Sequence, residues 1–179
     1  MPILHMPGTN NCEISLIEEE FEFRLPLIYR EHMKSMNGLF VQSPDFIDLK
    51  LDRIGIEEIS FCGFLFMGCQ NLSWNLQHLN RNFGDEIVGL KKPLLIGDDG
   101  GGNFYVMETQ SADGKVYYWD RTHLHGDSYN MSTGIDLNKD LRESNEEGDL
   151  YLIYDGFGVL LEIIKEKISG MKLIQVKEF

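Results

Sequence analysis

Leu94-Leu-Ile-Gly-Asp-Asp-Gly-Gly-Gly-Asn-Phe-Tyr-Val106, followed by Gly114-Lys-Val-Tyr-Tyr-Trp-Asp120, decides how this chain is read. A run of glycines lets the backbone take positive φ and lets another segment come close, and a Cβ would prevent both. Beyond it, Asn103–Thr109 and Lys115–Asp120 are rich in Phe, Tyr, Val and Trp and are predicted as strands. Ala112-Asp113-Gly114 between them supplies the left-handed residue of a tight hairpin. Residues 97 to 120 therefore predict turn, strand, turn, strand. The stretch reads as a recognition or folding element and holds no recognisable catalytic set.

Working outward, Ile54–Trp74 is dense in Ile, Phe, Leu and Cys with breaks at Gly55, Gly63 and Gly68, which suits strands buried on both faces or bent at a bulge. Leu76–Phe83 is compatible with either a short helix or a loop. Nearer the amino terminus, Ile14, Ile17 and Phe21 recur at helical spacing, with Asn10 or Asn11 as cap and Glu13 favouring the helix dipole. Pro26 suits the first position of a second helix with the apolar face Tyr29, His32, Met33 and Met36, closed by Asn37-Gly38. His32 on that stripe reads as a hydrogen-bonded histidine at the core edge. On the other side, Asp127–Gly148 is polar and carries the acidic run Glu143–Glu147, which predicts a long surface excursion. Phe157, Leu160, Leu161, Ile164 and Ile168 then share one helical face, with Asp155 as cap, Lys165 and Lys167 in the last turn and Gly170 as stop. Leu173–Val176 is predicted as a last strand. Two helices, then strands, then a helix imply an α+β fold, its helices gathered against one mostly antiparallel sheet.

A chain of 179 residues, 42% of them hydrophobic, is expected to form one domain over residues 1–179. The longest apolar run, Ile59–Cys69, is far below the roughly 20 residues of a membrane-spanning helix. No export signal is legible, so the expected location is the cytoplasm. Cys12, Cys62 and Cys69 lack metal-ligand spacing and are expected as free thiols. Sixteen Lys and Arg against 29 Asp and Glu leave a net charge of −13, which repels nucleic acid and anionic membranes and attracts basic proteins. Acidity also serves solubility alone.

The turn Gly97–Gly102 invites a phosphate-binding reading, yet it lacks the Gly-Lys-Ser/Thr ending and leads into a strand, and its two carboxylates repel phosphate. Asp136, Asn138, Asp140 and Glu147 sit at calcium-loop spacing, but Leu141 stands where that loop needs glycine. Asp120, His123, His125 and Asp127 offer nitrogen and oxygen ligands without a clearly placed partner from elsewhere. No nucleophile elbow, His-Glu-x-x-His helix or deaminase motif is present. No catalytic residue, metal or cofactor is therefore expected, and a small metal-dependent or nucleotide-handling enzyme centred on Asp98, Asp99, His123 and His125 stands as the competing reading. Trp74, Tyr105, Tyr117, Tyr118 and Trp119 remain as aromatic candidates. Alternation points Tyr117 and Trp119 opposite to Tyr118, so one set is exposed if only the other face is covered.

Taken together, Ile17-Glu-Glu-Glu-Phe21, Leu25-Pro26 with Tyr29, Asn37-Gly38, Leu95-Ile-Gly-Asp-Asp-Gly-Gly-Gly-Asn-Phe-Tyr105 and Val116-Tyr-Tyr-Trp-Asp120 resemble, in order and spacing, the SUKH superfamily of Smi1/Knr4-like proteins. Asp155–Ile168 is similar to the family's closing helix, with Phe157 in the place of its aromatic residue. Arg121 departs from the histidine that often follows the aromatic-Asp pair in that family. The resemblance implies an α+β fold and, for bacterial members, immunity against polymorphic or contact-delivered toxins, often nucleases; fungal members act in cell-wall and signalling regulation. The implied partner is a cognate, basic protein toxin, whose active site is occluded. The expected contact set is Asp98, Asp99, Tyr105, Tyr118, Trp119, Asp120, Glu143, Glu146 and Glu147.

Overall fold

In the computed structural model, which describes residues 2–51, 56–123, 142–145 and 148–179, the chain opens with a strand that its composition conceals. β1 (Pro2–Pro7) has a proline at each end, where a missing N–H costs least, and buries Ile3 completely. The helices therefore follow a strand, correcting the order expected from sequence. α1 (Asn11–Glu20) starts with a capping box: Asn10 Oδ1 accepts from the Glu13 N–H at 3.0 Å, and Glu13 accepts from the Asn10 N–H at 3.2 Å. The Thr9 hydroxyl also donates to Glu13, and this bond is the main reason its carboxyl lies below the usual range.

Pro26 caps α2 (Leu27–Ser35) from just outside the helix. Asn37-Gly38 does not stop it. The chain passes directly into β2 (Met36–Val41), where Gly38 has φ +68° and a Cβ would fall 2.3 Å from the Phe66 ring. Asn37 instead reaches across, donating to the Met67 carbonyl at 2.9 Å and accepting from its N–H at 2.8 Å. β3 (Ile47–Leu51) and β4 (Ile56–Phe61) form a separate two-stranded sheet. β5 (Gly63–Phe64) returns to the main sheet. α3 (Leu76–Phe83) settles the ambiguous segment as a helix, capped by Asn75 and docked through Asn80, whose side chain pairs with both backbone groups of Leu95.

β6 (Pro93–Asp98), a strand the sequence reading did not include, pairs with β7 (Phe104–Glu108) across the glycine turn, and β7 and β8 (Lys115–Asp120) make the predicted hairpin. Within the segment expected as a surface excursion, β9 (Arg142–Asn145) is a strand paired to β10 (Gly148–Tyr154). α4 (Phe157–Lys167) is capped by the backbone of Gly156, not by the Asp155 side chain. β11 (Lys172–Gln175) closes the sheet. Among the described residues, the main sheet has nine strands in the order β11-β1-β2-β5-β6-β7-β8-β10-β9, antiparallel throughout except for the parallel edge pair β1–β11. The fold is α+β, as the sequence predicts. Among the described residues no helix is long and apolar enough to cross a membrane.

Both faces of the central strands are covered. Alternation sends Tyr105 and Tyr118 to one face, where Phe61 of β4 packs edge-on against Tyr105 at 5.3 Å. It sends Phe104 and Trp119 to the other, where Phe83 of α3 meets Phe104 at 5.7 Å. On the first face the aromatic chain continues from Phe61 through Phe64 to Phe157 of α4, which packs edge-on against Tyr29 of α2 at 4.8 Å.

Candidate functional site

The β6–β7 turn is built by its own carboxylates. Gly100 and Gly102 hold φ of +80° and +95°, values only glycine adopts freely, and a Cβ at Gly100 would lie 2.7 Å from Cys62 Sγ. Gly101 is different. Its φ is not positive, and a Cβ there would meet only the Asp99 carboxylate at 3.4 Å. The backbone N–H groups that this tight path leaves unpaired need acceptors, and the two aspartates supply them.

Asp99 is fully engaged. Its Oδ1 accepts from the N–H of Gly101 at 2.7 Å and of Asn103 at 3.0 Å, and its Oδ2 accepts from Asn103 Nδ2 at 2.9 Å and the Tyr118 hydroxyl at 2.8 Å. Asp98 accepts from the Gly100 N–H at 2.5 Å and stays partly exposed. Burial, only partly offset by that bond, and the neighbouring Asp99 push its carboxyl up to about 6. Burial first, and then Asp99, also raise the Tyr118 phenol, and burial raises Cys62 to about 11, so neither is poised as a nucleophile near neutral pH.

Below the turn the network continues. Asn103 Oδ1 accepts from the Thr122 N–H at 3.1 Å and hydroxyl at 3.2 Å, and that hydroxyl donates to Asp120 at 3.2 Å. Tyr105 donates to the Ser60 carbonyl at 2.6 Å, tying the turn's hairpin to β4. Arg121 lies 4.4 Å from the Phe83 ring centroid and 5.0 Å from that of Trp119, and pairs with Glu86 at 3.1 Å. The cation thus caps the aromatic face of Trp119. This role was not legible in the sequence, because Phe83 and Glu86 come from the α3 region.

The expected contact residues fall into three groups. Asp98 and Asp99 remain at the surface, with Asp99 directed into the turn. Tyr105, Tyr118, Trp119 and Asp120 are buried, at most 1% exposed, so they support the surface from within and do not form it. The expectation that one aromatic set is exposed fails because β4 covers one face and α3 the other. Glu143 sits on β9, and Glu146 and Glu147 lie outside the described residues. Trp74 is partly buried against Phe40 at 4.8 Å and Phe179 at 6.1 Å.

Of the residues in the enzyme reading, Asp98, Asp99 and His123 are among the described ones. His123 approaches Asp149 at 3.5 Å, while His125, Asp127 and the whole calcium-spaced set, Asp136, Asn138, Asp140 and Glu147, lie outside the described residues. Among the described residues no three His, Cys, Asp or Glu side chains converge to hold a metal ion. His32, expected to be hydrogen-bonded, is instead packed at 5.3 Å from Phe64 and 5.6 Å from Phe157, and its Nε2 has no hydrogen-bond partner among the described residues. Burial, and secondarily the charge of Lys165, lower its pKa to about 4.

The family model for the SMI1 / KNR4 family (SUKH-1) matches residues 8–163, a span that runs from the capping of α1 through the glycine turn and aromatic hairpin into α4. No curated protein and no solved structure matches the chain.

Proposed function

This chain belongs to the SMI1 / KNR4 family (SUKH-1), and on that premise we propose that it is a single-domain, non-catalytic immunity protein of the cytoplasm. It binds a polymorphic or contact-delivered toxin and occludes its active site. The observation that carries the reading is the family match over 8–163, joined to a net charge of −13. A basic partner, such as a nuclease, is drawn by that field at rates that fall as salt screens it. Asp98, with the acidic run from Glu143 through Glu146 and Glu147, contributes charge that resembles a phosphate track. A regulatory scaffold of the Smi1/Knr4 type is the other reading the family supports.

Co-expression with toxins encoded beside this chain is the test. Protection of the host by this chain, and its loss when the chain is omitted, is the expected result; no protection against any neighbouring toxin overturns the immunity reading. Steering is tested separately by neutralising Asp98, Glu143, Glu146 and Glu147 together. The association rate should fall about tenfold at low salt and flatten in its salt dependence, and an unchanged rate removes the electrostatic part alone.

A further inference from the structure

Three large apolar side chains stand exposed together where α2 and α4 begin: Leu27 at 72%, Ile28 at 41% and Val159 at 51%. They line a groove of about 670 Å³, walled at its far side by the β7–β8 turn at Ala112 and Asp113. A single exposed leucine means little, but a clustered apolar patch with a polar rim is the usual mark of a contact surface. The groove is held rigidly. The Asp113 backbone carbonyl accepts from the Phe157 N–H at 2.9 Å, fixing the turn to the start of α4. Gly158 lets α2 approach so closely that a Cβ there would fall 2.7 Å from Ile28 Cδ1.

The rim is predominantly acidic. Glu31, Asp113 and Asp155 border the groove, and where it continues along α4 it meets Glu162 and Glu166 against Lys165 alone. Lys34 pairs with Glu31 and Lys165 with Glu162, each at 2.8 Å, which leaves Asp113 and Glu166 to set the field. An apolar floor inside an acidic rim is complementary to one kind of occupant: an aliphatic or aromatic side chain flanked by lysine or arginine.

We propose that the groove between the starts of α2 and α4 anchors the partner protein through an apolar residue set among basic ones. The proposal rests on the immunity reading and adds to it the surface that grips the partner. The apolar contact slows dissociation, and the rim selects for positive flanks.

The test measures binding of the purified chain to each toxin domain encoded beside it, with Leu27→Arg and Val159→Arg in the groove and Leu72→Arg and Val88→Arg as exposed apolar controls elsewhere. All four positions are more than half exposed, so each variant should melt with the wild type. The groove variants should weaken binding at least tenfold and the controls less than twofold; Asp113→Asn with Glu166→Gln should weaken it about fivefold and reduce its salt dependence. Wild-type binding with undiminished groove variants overturns this surface while leaving the immunity reading standing. If the wild type binds none of the toxins, both fall. If the groove variants change only self-association, measured by sedimentation, a second copy of the chain occupies the groove and the proposal is overturned.

Discussion

The glycine turn and the α2–α4 groove put opposite kinds of side chain to opposite uses. At the turn, the conspicuous Asp99 is directed inward, its four side-chain hydrogen bonds going to its own hairpin and to Tyr118. At the groove, unremarkable aliphatic residues are left facing out, with no part in the core. Conspicuous composition and an available surface are different things. A polar residue whose lone pairs are already satisfied by buried donors has little left for a partner, whereas an exposed apolar cluster gains most from being covered.

The comparison can be broken most severely at Glu18, where α1 is tied to the approach to α2. This side chain is 1% exposed and accepts from the Leu25 N–H at 2.9 Å, from Arg24 at 2.7 Å and from Arg30 at 3.1 Å, stapling α1 to α2. Glu18→Ala strands the Leu25 N–H and should cost about 3 kcal/mol in urea unfolding. A loss below about 1 kcal/mol would mean that the helical end does not depend on this staple. Next in size is Asp99→Ala, which removes the acceptor of three N–H donors and of the Tyr118 hydroxyl. About 2 kcal/mol should be lost, and a stability equal to wild type would show the turn's carboxylates to be free for binding after all.

Two pH limbs sharpen the contrast with opposite signs. His32 is held uncharged in the folded state, so its contribution is present above pH 6.5 and is lost as pH falls toward about 4. His32→Leu should remove on the order of 1–2 kcal/mol of that acid limb and cost little at pH 7, where no hydrogen bond of Nε2 is given up. An unchanged acid limb would place its origin in other groups. Asp98 behaves the other way. Its folded pKa is raised to about 6, so its contribution is complete below pH 3.8 and is lost as pH rises through about 6. Asp98→Asn should therefore be more stable than wild type at pH 7 by on the order of 1 kcal/mol and should match it near pH 4. Thermal melts at the two pH values read this directly, and equal shifts at both would contradict it.

Much of the fold was legible. Periodicity and end signals located α1, α2, α4 and the β7–β8 hairpin, because capping residues, Pro26 and Gly114 act through bonds a few positions away. What failed were the events that depend on distant partners. Asn37-Gly38 looks like a helix stop but serves a strand, since Met67 and the Phe66 ring decide its geometry. β1 and β9 are short and weakly patterned, and each exists by pairing with a strand far along the chain or by closing an edge. The site was read less well than the fold. Counting charges and aromatics singles out Tyr105, Tyr118, Trp119 and Asp120, and no local rule reveals that β4 and α3 cover both faces of their sheet.

By itself the sequence determined the acidity, the α+β plan, the family and the backbone demands of the glycine turn, all of which follow from residue chemistry and local sterics. Tertiary structure alone decided which of those residues reach the surface. It turned Asp99 inward, placed Arg121 over Phe83, and brought Leu27 and Val159, 132 positions apart, to the lips of one groove. The reason is physical: propensity is written in neighbouring residues, but exposure depends on what packs above a side chain, and that is set by contacts the chain makes only after it closes on itself.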